Sequence, residues 1–325
     1  MYETYDKWPE IANDSFAAKL DIIDFKNIQH IVFSGMGGSG AIGDMFSSIL
    51  SKTKIHVNVV KGYHLPQTVT PNSLVITTSV SGNTVETLSV LREAKENGCK
   101  IIAFSSGGKM QEYCSKEKIE HRQIQKIHSP RASFTSYLYS MLKVLHETLE
   151  IKKQDILESL EHIKKIGINI NSSNLSENNN SLKLAEWISG IPIIYYPFGL
   201  QSAAIRFKNS LQENTKLHAI TEDVIESSHN GIVSWERKSN VQPILIQGKD
   251  DYIKTKERWN ILKNYFNSKE IEFREISSIE GSILSKLIGL IYLLDYSTIY
   301  KSILDNIDPS PVKSIDFVKR KLSNE

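Results

Sequence analysis

Short apolar runs alternate with amphipathic stretches along most of the chain, and this pattern predicts alternating strands and helices. In the first half, each apolar run ends at a glycine or a polar residue, as is typical of buried strands. These runs are 30–35, 55–60, 73–79 and 100–106, and helices are predicted over 39–50, 83–98 and 132–150. Strands that alternate with helices indicate βαβ units and a parallel sheet.

A polar, asparagine-rich segment at 170–181 interrupts the alternation and is interpreted as a linker. Beyond it the pattern starts again, with strands predicted over 191–199, 242–248 and 271–276, and helices over 200–212, 254–266 and 282–304. We therefore predict two α/β domains, 1–170 and 171–325, each an αβα sandwich with a mainly parallel sheet.

The composition excludes several classes of protein. The 325 residues are 40% hydrophobic and 23% charged, which is ordinary for a globular protein, and the net charge of +2 comes without a basic cluster that would indicate nucleic-acid binding. Two cysteines, Cys99 and Cys114, exclude a disulfide framework and have no metal-type spacing. The polar N-terminus is no signal peptide, and the apolar tract 287–294 is too short to span a bilayer. We expect a cytoplasmic protein without metal, membrane or nucleic-acid partners.

The turn GMGGSG (35–40) follows a predicted strand and precedes a predicted helix. This layout presents backbone N–H groups and a positive helix end to an anion, so we expect Gly37 and Gly38 to let the backbone close around a ligand. A dinucleotide site would need an acidic residue at the end of the next strand, 55–60, and the chain has none there. The Gly-Lys-Ser/Thr of a P-loop is also missing.

The turn SVSGNT (79–84) places three hydroxyls beside another predicted helix N-terminus. Hydroxyl and N–H groups can surround a phosphate monoester without a metal. Serine, threonine and Ser-Gly-Asn are equally ordinary in a capped helix, and that alternative remains open here. Both turns fall at the carboxyl ends of strands, where open α/β sheets bind ligands, and this favours a phosphate site.

These motifs, with three segments of the second half, resemble one family. The two turns resemble the sugar isomerase domain. The segments RFKNSLQENTK (206–216), SSHNGIVSWE (227–236) and DPSPVKSIDFVKRKL (308–322) resemble the bifunctional phosphoglucose/phosphomannose isomerases of archaea and some bacteria. The resemblance spans essentially the whole chain. It implies a cofactor-free aldose–ketose isomerase that converts glucose 6-phosphate and mannose 6-phosphate to fructose 6-phosphate, as a homodimer with a shared active site.

The resemblance also implies roles for single residues. Arg131 matches an arginine that steadies the enediolate, and Glu213 matches the base that moves a proton between C1 and C2. His229 matches a ring-opening histidine supplied by the partner subunit, and Lys319 matches a lysine that assists ring opening. The positions that match the phosphate site are Gly38, Ser39, Ser79, Ser81 and Thr84.

Two departures from the family pattern, one open alignment and three alternative functions accompany this interpretation. Gln212 stands where the family has asparagine, and Gly231 where it has glutamate; Lys313 and Lys321 are close enough to Lys319 to leave that alignment open. A non-catalytic phosphosugar sensor of the same fold is the main alternative, but a sensor could lose the catalytic glutamate and histidine that this chain keeps. An aminotransferring enzyme would need an ammonia-supplying domain, and a dinucleotide-dependent oxidoreductase would need the missing acid.

Overall fold

The computed structural model describes residues 1–322 and contains two parallel sheets, one in each half of the chain. The first has the strand order β2-β1-β3-β4-β5, and the second has the order β7-β6-β8-β9. The strands are β1 (His30–Ser34), β2 (His56–Val60), β3 (Leu74–Ser79), β4 (Lys100–Ser105), β5 (Glu120–Gln123), β6 (Ile191–Tyr196), β7 (Ile220–Asp223), β8 (Val241–Gln247) and β9 (Arg274–Ser277). All strand pairs are parallel, which confirms the predicted fold class.

Helices lie in every connection between consecutive strands except that from β2 to β3, and further helices precede β1 and follow β9. They are α1 (Tyr2–Asp6), α2 (Trp8–Ala17), α3 (Gly38–Leu50), α4 (Val85–Glu96), α5 (Gly108–Glu117), α6 (Phe134–Leu145), α7 (Lys153–Ile170), α8 (Asn180–Trp187), α9 (Gln201–Ser210), α10 (Val224–Ser227), α11 (Ile253–Ser268), α12 (Ile283–Leu304) and α13 (Lys313–Leu322). Two 3₁₀ turns (Phe198–Leu200, Gly231–Glu236) and one π-helical turn (Leu211–Thr215) complete the fold.

The main hydrophobic core joins the two halves. It contains Ile31 of β1 and Ile194 of β6, together with most of α12. By length and composition α12 could cross a bilayer, but 83% of its most apolar stretch is buried inside the protein, as in the core helix of a globular fold. The apolar tract expected from the sequence is therefore the middle of a longer, buried helix.

The apolar pattern located the central strands but missed the edge strands β5 and β7. Their sequences, EHRQ and ITED, carry few apolar residues because an edge strand is only partly covered. The predicted linker is held in place by a buried side chain. Asn179 is fully buried, and its amide donates to the carbonyl of Asn174 at 2.7 Å and to the Tyr300 hydroxyl at 3.0 Å. The domain boundary at residue 170 stays a prediction, and residues 323–325 of the predicted second domain lie outside the described range.

Candidate active site

The glycine turn packs against the chain's own backbone. Gly37 has φ +54°, a conformation that glycine adopts without cost. A Cβ at Gly38 would lie 3.1 Å from the carbonyl oxygen of Pro130. The expectation that Gly38 leaves room for a ligand stays a prediction, and the structure adds a second reason for glycine there: a Cβ would meet the backbone that carries Arg131. The absence of that Cβ brings Arg131 close to the start of α3.

The second turn forms a compact group of hydroxyls at the carboxyl end of β3. The hydroxyl oxygens of Ser79 and Thr84 are 2.9 Å apart, and the Gly82 amide donates to Ser79 at 3.1 Å. Ser39 at the start of α3 joins this group, because its hydroxyl accepts from the Val80 amide at 3.3 Å. The structure thus brings Ser39 next to the 79–84 turn, as strands β1 and β3 are direct neighbours.

Ser81 lies at the exposed lip of the same turn, where its hydroxyl accepts from the Asn83 amide at 3.2 Å. The turn depends on Gly82, which has φ +69° and whose Cβ would overlap the carbonyl oxygen of Gly107. At the carboxyl end of β3, this turn leaves the Ser81 side chain facing solvent and open to a ligand.

Both adjacent helices begin without a side-chain cap. Gly37 precedes α3 and has no side chain for capping, while Thr84 precedes α4 but makes its hydroxyl contact with Ser79 instead. The first amides of a helix need an acceptor, and its N-terminus carries partial positive charge. Two such N-termini beside several hydroxyls favour an anion over the capped-helix alternative.

Arg131 and Glu213 form an ion pair between the two halves of the chain. Nη1 of Arg131 donates to Oε2 of Glu213 at 3.1 Å, and Nε donates to Oδ1 of Asn214 at 2.7 Å. Arg131 is 5% exposed. The Glu213 side chain is 26% exposed, so it reaches solvent while the buried Arg131 guanidinium contacts its carboxylate from the protein interior.

The backbone around Glu213 is a π-helical turn rather than the end of an ordinary helix. The sequence predicts a helix to residue 212 with Glu213 just beyond it, whereas α9 ends at Ser210 and the π turn Leu211–Thr215 includes Glu213. Such turns widen the backbone locally and occur often at functional sites. Lys216, in a left-handed conformation with φ +60°, ends the turn.

A strap from the C-terminal segment closes over this pair. Nη2 of Arg131 donates to the carbonyl of Pro309 at 2.5 Å and to that of Ser310 at 3.3 Å. Nζ of Lys216 donates to the carbonyls of Glu213 at 2.5 Å and Pro311 at 2.9 Å. The segment that precedes α13 is thereby tied to the Arg131–Glu213 pair.

A second, fully buried ion pair supports Arg131 from the core. Arg206 donates from Nη2 to Oδ2 of Asp295 at 2.6 Å and to the carbonyl of Arg131 at 2.9 Å. Ser210, the last residue of α9, donates to the other oxygen of Asp295 at 2.7 Å. One carboxylate therefore fixes both the Arg131 backbone and the point where the π turn begins.

The structure does not join the two remaining predicted residues to this pair. His229 lies exposed after α10, and within residues 1–322 its imidazole has no hydrogen-bond or ion-pair partner. Lys319 lies on α13, whose residues are all exposed, as do the alternatives Lys313 and Lys321. Their catalytic roles stay predictions.

The structure gives a steric reason for glycine at position 231 that the sequence alone does not show. A Cβ there would overlap Oε2 of Glu222, a buried oxygen with no hydrogen-bond partner. Burial raises the pKa of Glu222. The carboxyl group of β7 thus fills the space that any larger residue at position 231 would need.

Several residues of the site were missed because they are ordinary in sequence. Asn214 and Arg206 lie within quoted motifs without an assigned role, and Thr298 has no distinguishing context. Asp295 carried a usable signal: it is a lone acid within an apolar helix, which indicates a buried partner. Within residues 1–322, no group of three His, Cys, Asp or Glu side chains could hold a metal ion.

Comparisons with known proteins identify the family of the chain. The model of the bacterial phospho-glucose isomerase C-terminal SIS domain matches residues 177–322, and that of the SIS domain matches 24–146. A bifunctional phosphoglucose/phosphomannose isomerase from Caldicellulosiruptor bescii is 32% identical over 99% of both chains. A D-glucosamine-6-phosphate 4-epimerase from Sulfolobus acidocaldarius is 29% identical over 76% of this chain and 77% of the relative.

Among solved structures, the C-terminal domain of glucosamine-fructose-6-phosphate aminotransferase from Francisella tularensis has the same fold. Its TM-score is 0.71 at 17% identity, over 95% of this chain and 98% of that one. At this identity the likeness concerns the fold alone. The near-complete coverage by an isomerase at 32% identity goes further: the chain belongs to the bifunctional phosphoglucose/phosphomannose isomerase family.

Proposed function

We propose that the protein interconverts glucose 6-phosphate and mannose 6-phosphate with fructose 6-phosphate. The observation that carries this is the Arg131–Glu213 ion pair, which lies where the backbone of Pro130 contacts Gly38 of the glycine turn. Aldose–ketose isomerisation needs one base that takes and returns a proton between C1 and C2, beside a fixed cation. A partly exposed carboxylate held by a buried guanidinium supplies both groups.

Glu213 acts as this base, and Arg131 stabilises the negative charge that develops on the enediolate oxygens. Glucose and mannose differ in configuration at C2, and C2 becomes planar in the enediolate. The same base can therefore serve both sugars if it can return the proton to either face. No redox cofactor is needed, because the oxidation at one carbon balances the reduction at its neighbour.

The substrate phosphate is assigned to the two turns at the carboxyl ends of β1 and β3. Ser39, Ser79, Ser81 and Thr84 supply hydroxyls, and the uncapped starts of α3 and α4 supply amides. Gly38 contributes its backbone. Because this contact exists before and after proton transfer, it contributes binding rather than rate.

Ring opening is assigned to His229 from a partner subunit, assisted by Lys319. The proposal is supported by the exposure of His229 and by its lack of a partner within residues 1–322. Histidine exchanges protons readily near neutral pH. The active form is then a homodimer with a shared site. We place it in the cytoplasm, in glycolysis and gluconeogenesis, because its charged substrates do not leave the compartment that makes them.

The test is turnover of fructose 6-phosphate to glucose 6-phosphate and mannose 6-phosphate by the purified protein, with glucosamine 6-phosphate as a further substrate. Isomerisation of the first three supports the proposal. Binding without turnover would favour the non-catalytic sensor, and 4-epimerisation of glucosamine 6-phosphate alone would favour the activity named for the Sulfolobus relative.

The shared site has its own test. Subunits carrying Glu213→Gln and subunits carrying His229→Ala should each have little activity, and a mixture that exchanges subunits should regain part of it, because one mixed dimer contains one intact site. Absence of recovery in a mixture shown to exchange would mean that each chain builds its own site.

A further inference from the structure

We propose that Asn214, held in turn by Thr298, is a positioning residue that sets the orientation of the Arg131 guanidinium. This inference rests on the proposed isomerase function of Arg131 and Glu213. Asn214 is fully buried and directly follows Glu213 in the π turn. Two consecutive residues therefore hold one guanidinium, Glu213 at Nη1 and Asn214 at Nε.

The contact at Nε decides the orientation of the whole group. The guanidinium is planar, and its Nε–H lies in that plane, so a fixed acceptor for Nε–H fixes the rotation of the plane about the Cδ–Nε bond. The Asn214 oxygen is 2.7 Å from Nε. With the plane fixed, Nη1 points at Glu213 at 3.1 Å instead of turning freely towards solvent.

The orientation of the Asn214 amide is itself forced. The guanidinium has donors only, so the side that faces Arg131 must be the amide oxygen. The amide nitrogen then donates to the Thr298 hydroxyl at 2.8 Å. Thr298 can accept there because its own proton goes to the carbonyl of Asp295 at 2.6 Å. Each of these three consecutive hydrogen bonds thus has one donor and one acceptor. A flipped Asn214 amide would instead place its NH₂ group against the Nε–H of Arg131.

Thr298 is thus the distal end of a buried relay from α12 to the active site. If its hydroxyl is removed, the Asn214 amide nitrogen has no acceptor in a dry environment, and such a group shifts to find one. The shift would release Nε of Arg131 and alter where Nη1 meets Glu213. A misplacement of about 1 Å near the reacting atoms can cost on the order of a hundredfold in rate.

The test compares Thr298→Val with Thr298→Ser, which keeps the hydroxyl, and with Ser297→Ala. Ser297 is the matched control because it is a buried hydroxyl on the same helix that donates only to the Leu294 carbonyl. We expect kcat to fall roughly tenfold or more in Thr298→Val while KM changes less than about threefold, since the phosphate turns are untouched. Thr298→Ser should keep kcat within about threefold.

A second variant and a second readout keep the proposal testable if Thr298→Val folds poorly. Asn214→Leu keeps nearly the same size but removes the acceptor for Nε, and we expect the same fall in kcat with little change in KM. Independently of activity, the Nε–H signal of Arg131, assigned with Arg131→Lys, should exchange with solvent about tenfold faster in Thr298→Val than in the native protein or Ser297→Ala.

The outcomes separate the two proposals. Unchanged kcat in Thr298→Val and Asn214→Leu, or unchanged exchange of the Arg131 Nε–H, would overturn the positioning role. A protein without isomerase activity would contradict the proposed function instead, and the exchange measurement would still decide whether Thr298 and Asn214 hold Arg131.

Discussion

Replacement of Glu213 by glutamine separates proton transfer from the other contributions of that side chain. Glutamine has the same length and one carbonyl oxygen, so it can still accept from Nη1 of Arg131, now 3.1 Å from Glu213. An amide cannot take a proton from carbon. The variant therefore removes the base and keeps the shape of the side chain.

The effect of this variant on the reaction rate and its effect on stability differ enough in size to be told apart. Loss of a general base lowers the rate by about 10²–10⁴-fold, which is at least about 2.7 kcal/mol on the barrier. The fold loses only the difference between a charged and a neutral hydrogen bond, about 1 kcal/mol. Arg131 keeps its contacts to Asn214, Pro309 and Ser310. Against a typical stability of about 5–15 kcal/mol, the variant stays folded.

The assay measures initial rates with glucose 6-phosphate and, by NMR, exchange of the C2 proton with deuterated solvent. Both should fall at least about a hundredfold in Glu213→Gln, with substrate binding retained. Glu236→Gln, an exposed acid without an ion pair within residues 1–322, serves as control. If kcat stays within about tenfold of native, or the C2 proton still exchanges, another group is the base.

Three further predictions follow from the turns and from β7. Ser79→Ala and Ser81→Ala should raise KM for sugar phosphates by roughly tenfold with kcat largely kept, and an unchanged KM in both would exclude this phosphate site. Gly82→Ala should lower the free energy of unfolding by about 2 kcal/mol or more in urea titrations, because φ is +69° and the Cβ would overlap the Gly107 carbonyl; native stability would contradict the turn geometry. Burial raises the pKa of Glu222 above its ordinary value, so the native state binds this proton more tightly and loses stability as pH rises through the raised pKa. Glu222→Gln should remove this loss, and parallel curves of unfolding free energy against pH for the two proteins would refute the shift.

The elements that the sequence predicts well are those whose signal is local. Strand β3 is buried along its whole length, so its apolar run and its polar end are both visible in the sequence. Strands β5 and β7 pair on one side only and carry polar residues, so periodicity cannot separate them from loops. The same limit applies to the π turn, because Leu-Gln-Glu-Asn-Thr would also fit the end of an ordinary helix.

For the site, the sequence located hydroxyls and helix starts but not long-range partners. The pairing of Arg131 with Glu213 joins residues 82 positions apart, and the relay through Thr298 spans a further 84. Nothing in the local pattern around Thr298 distinguishes it from Ser297 beside it. Which of two buried hydroxyls reaches the active site depends on how α12 packs against the π turn, and that packing is decided by the whole core.

The two sheets have equivalent strand orders, but the turns after their equivalent strands differ, and this is why only one sheet holds the proposed phosphate site. Strand β8 occupies the position in the second sheet that β3 occupies in the first. The turn after β3 offers hydroxyls and an uncapped helix start. After β8, Oδ2 of Asp251 accepts from the Gly248 amide and from the Trp259 indole, each at 3.0 Å, so a carboxylate of the chain already occupies the place of an anion.

A phosphate at that second turn would be repelled by the negative charge of Asp251, so we expect the second half of the chain to contribute to the site in a different way. The second half of the chain contributes Glu213, in the π turn after α9. The first half contributes the proposed phosphate turns and Arg131. The distance between phosphate and base is then a property of the contact between the two halves. Two contacts set this distance within the site: Gly38 packs against Pro130, and Arg131 pairs with Glu213. Small changes at either contact should therefore alter catalysis more than folding.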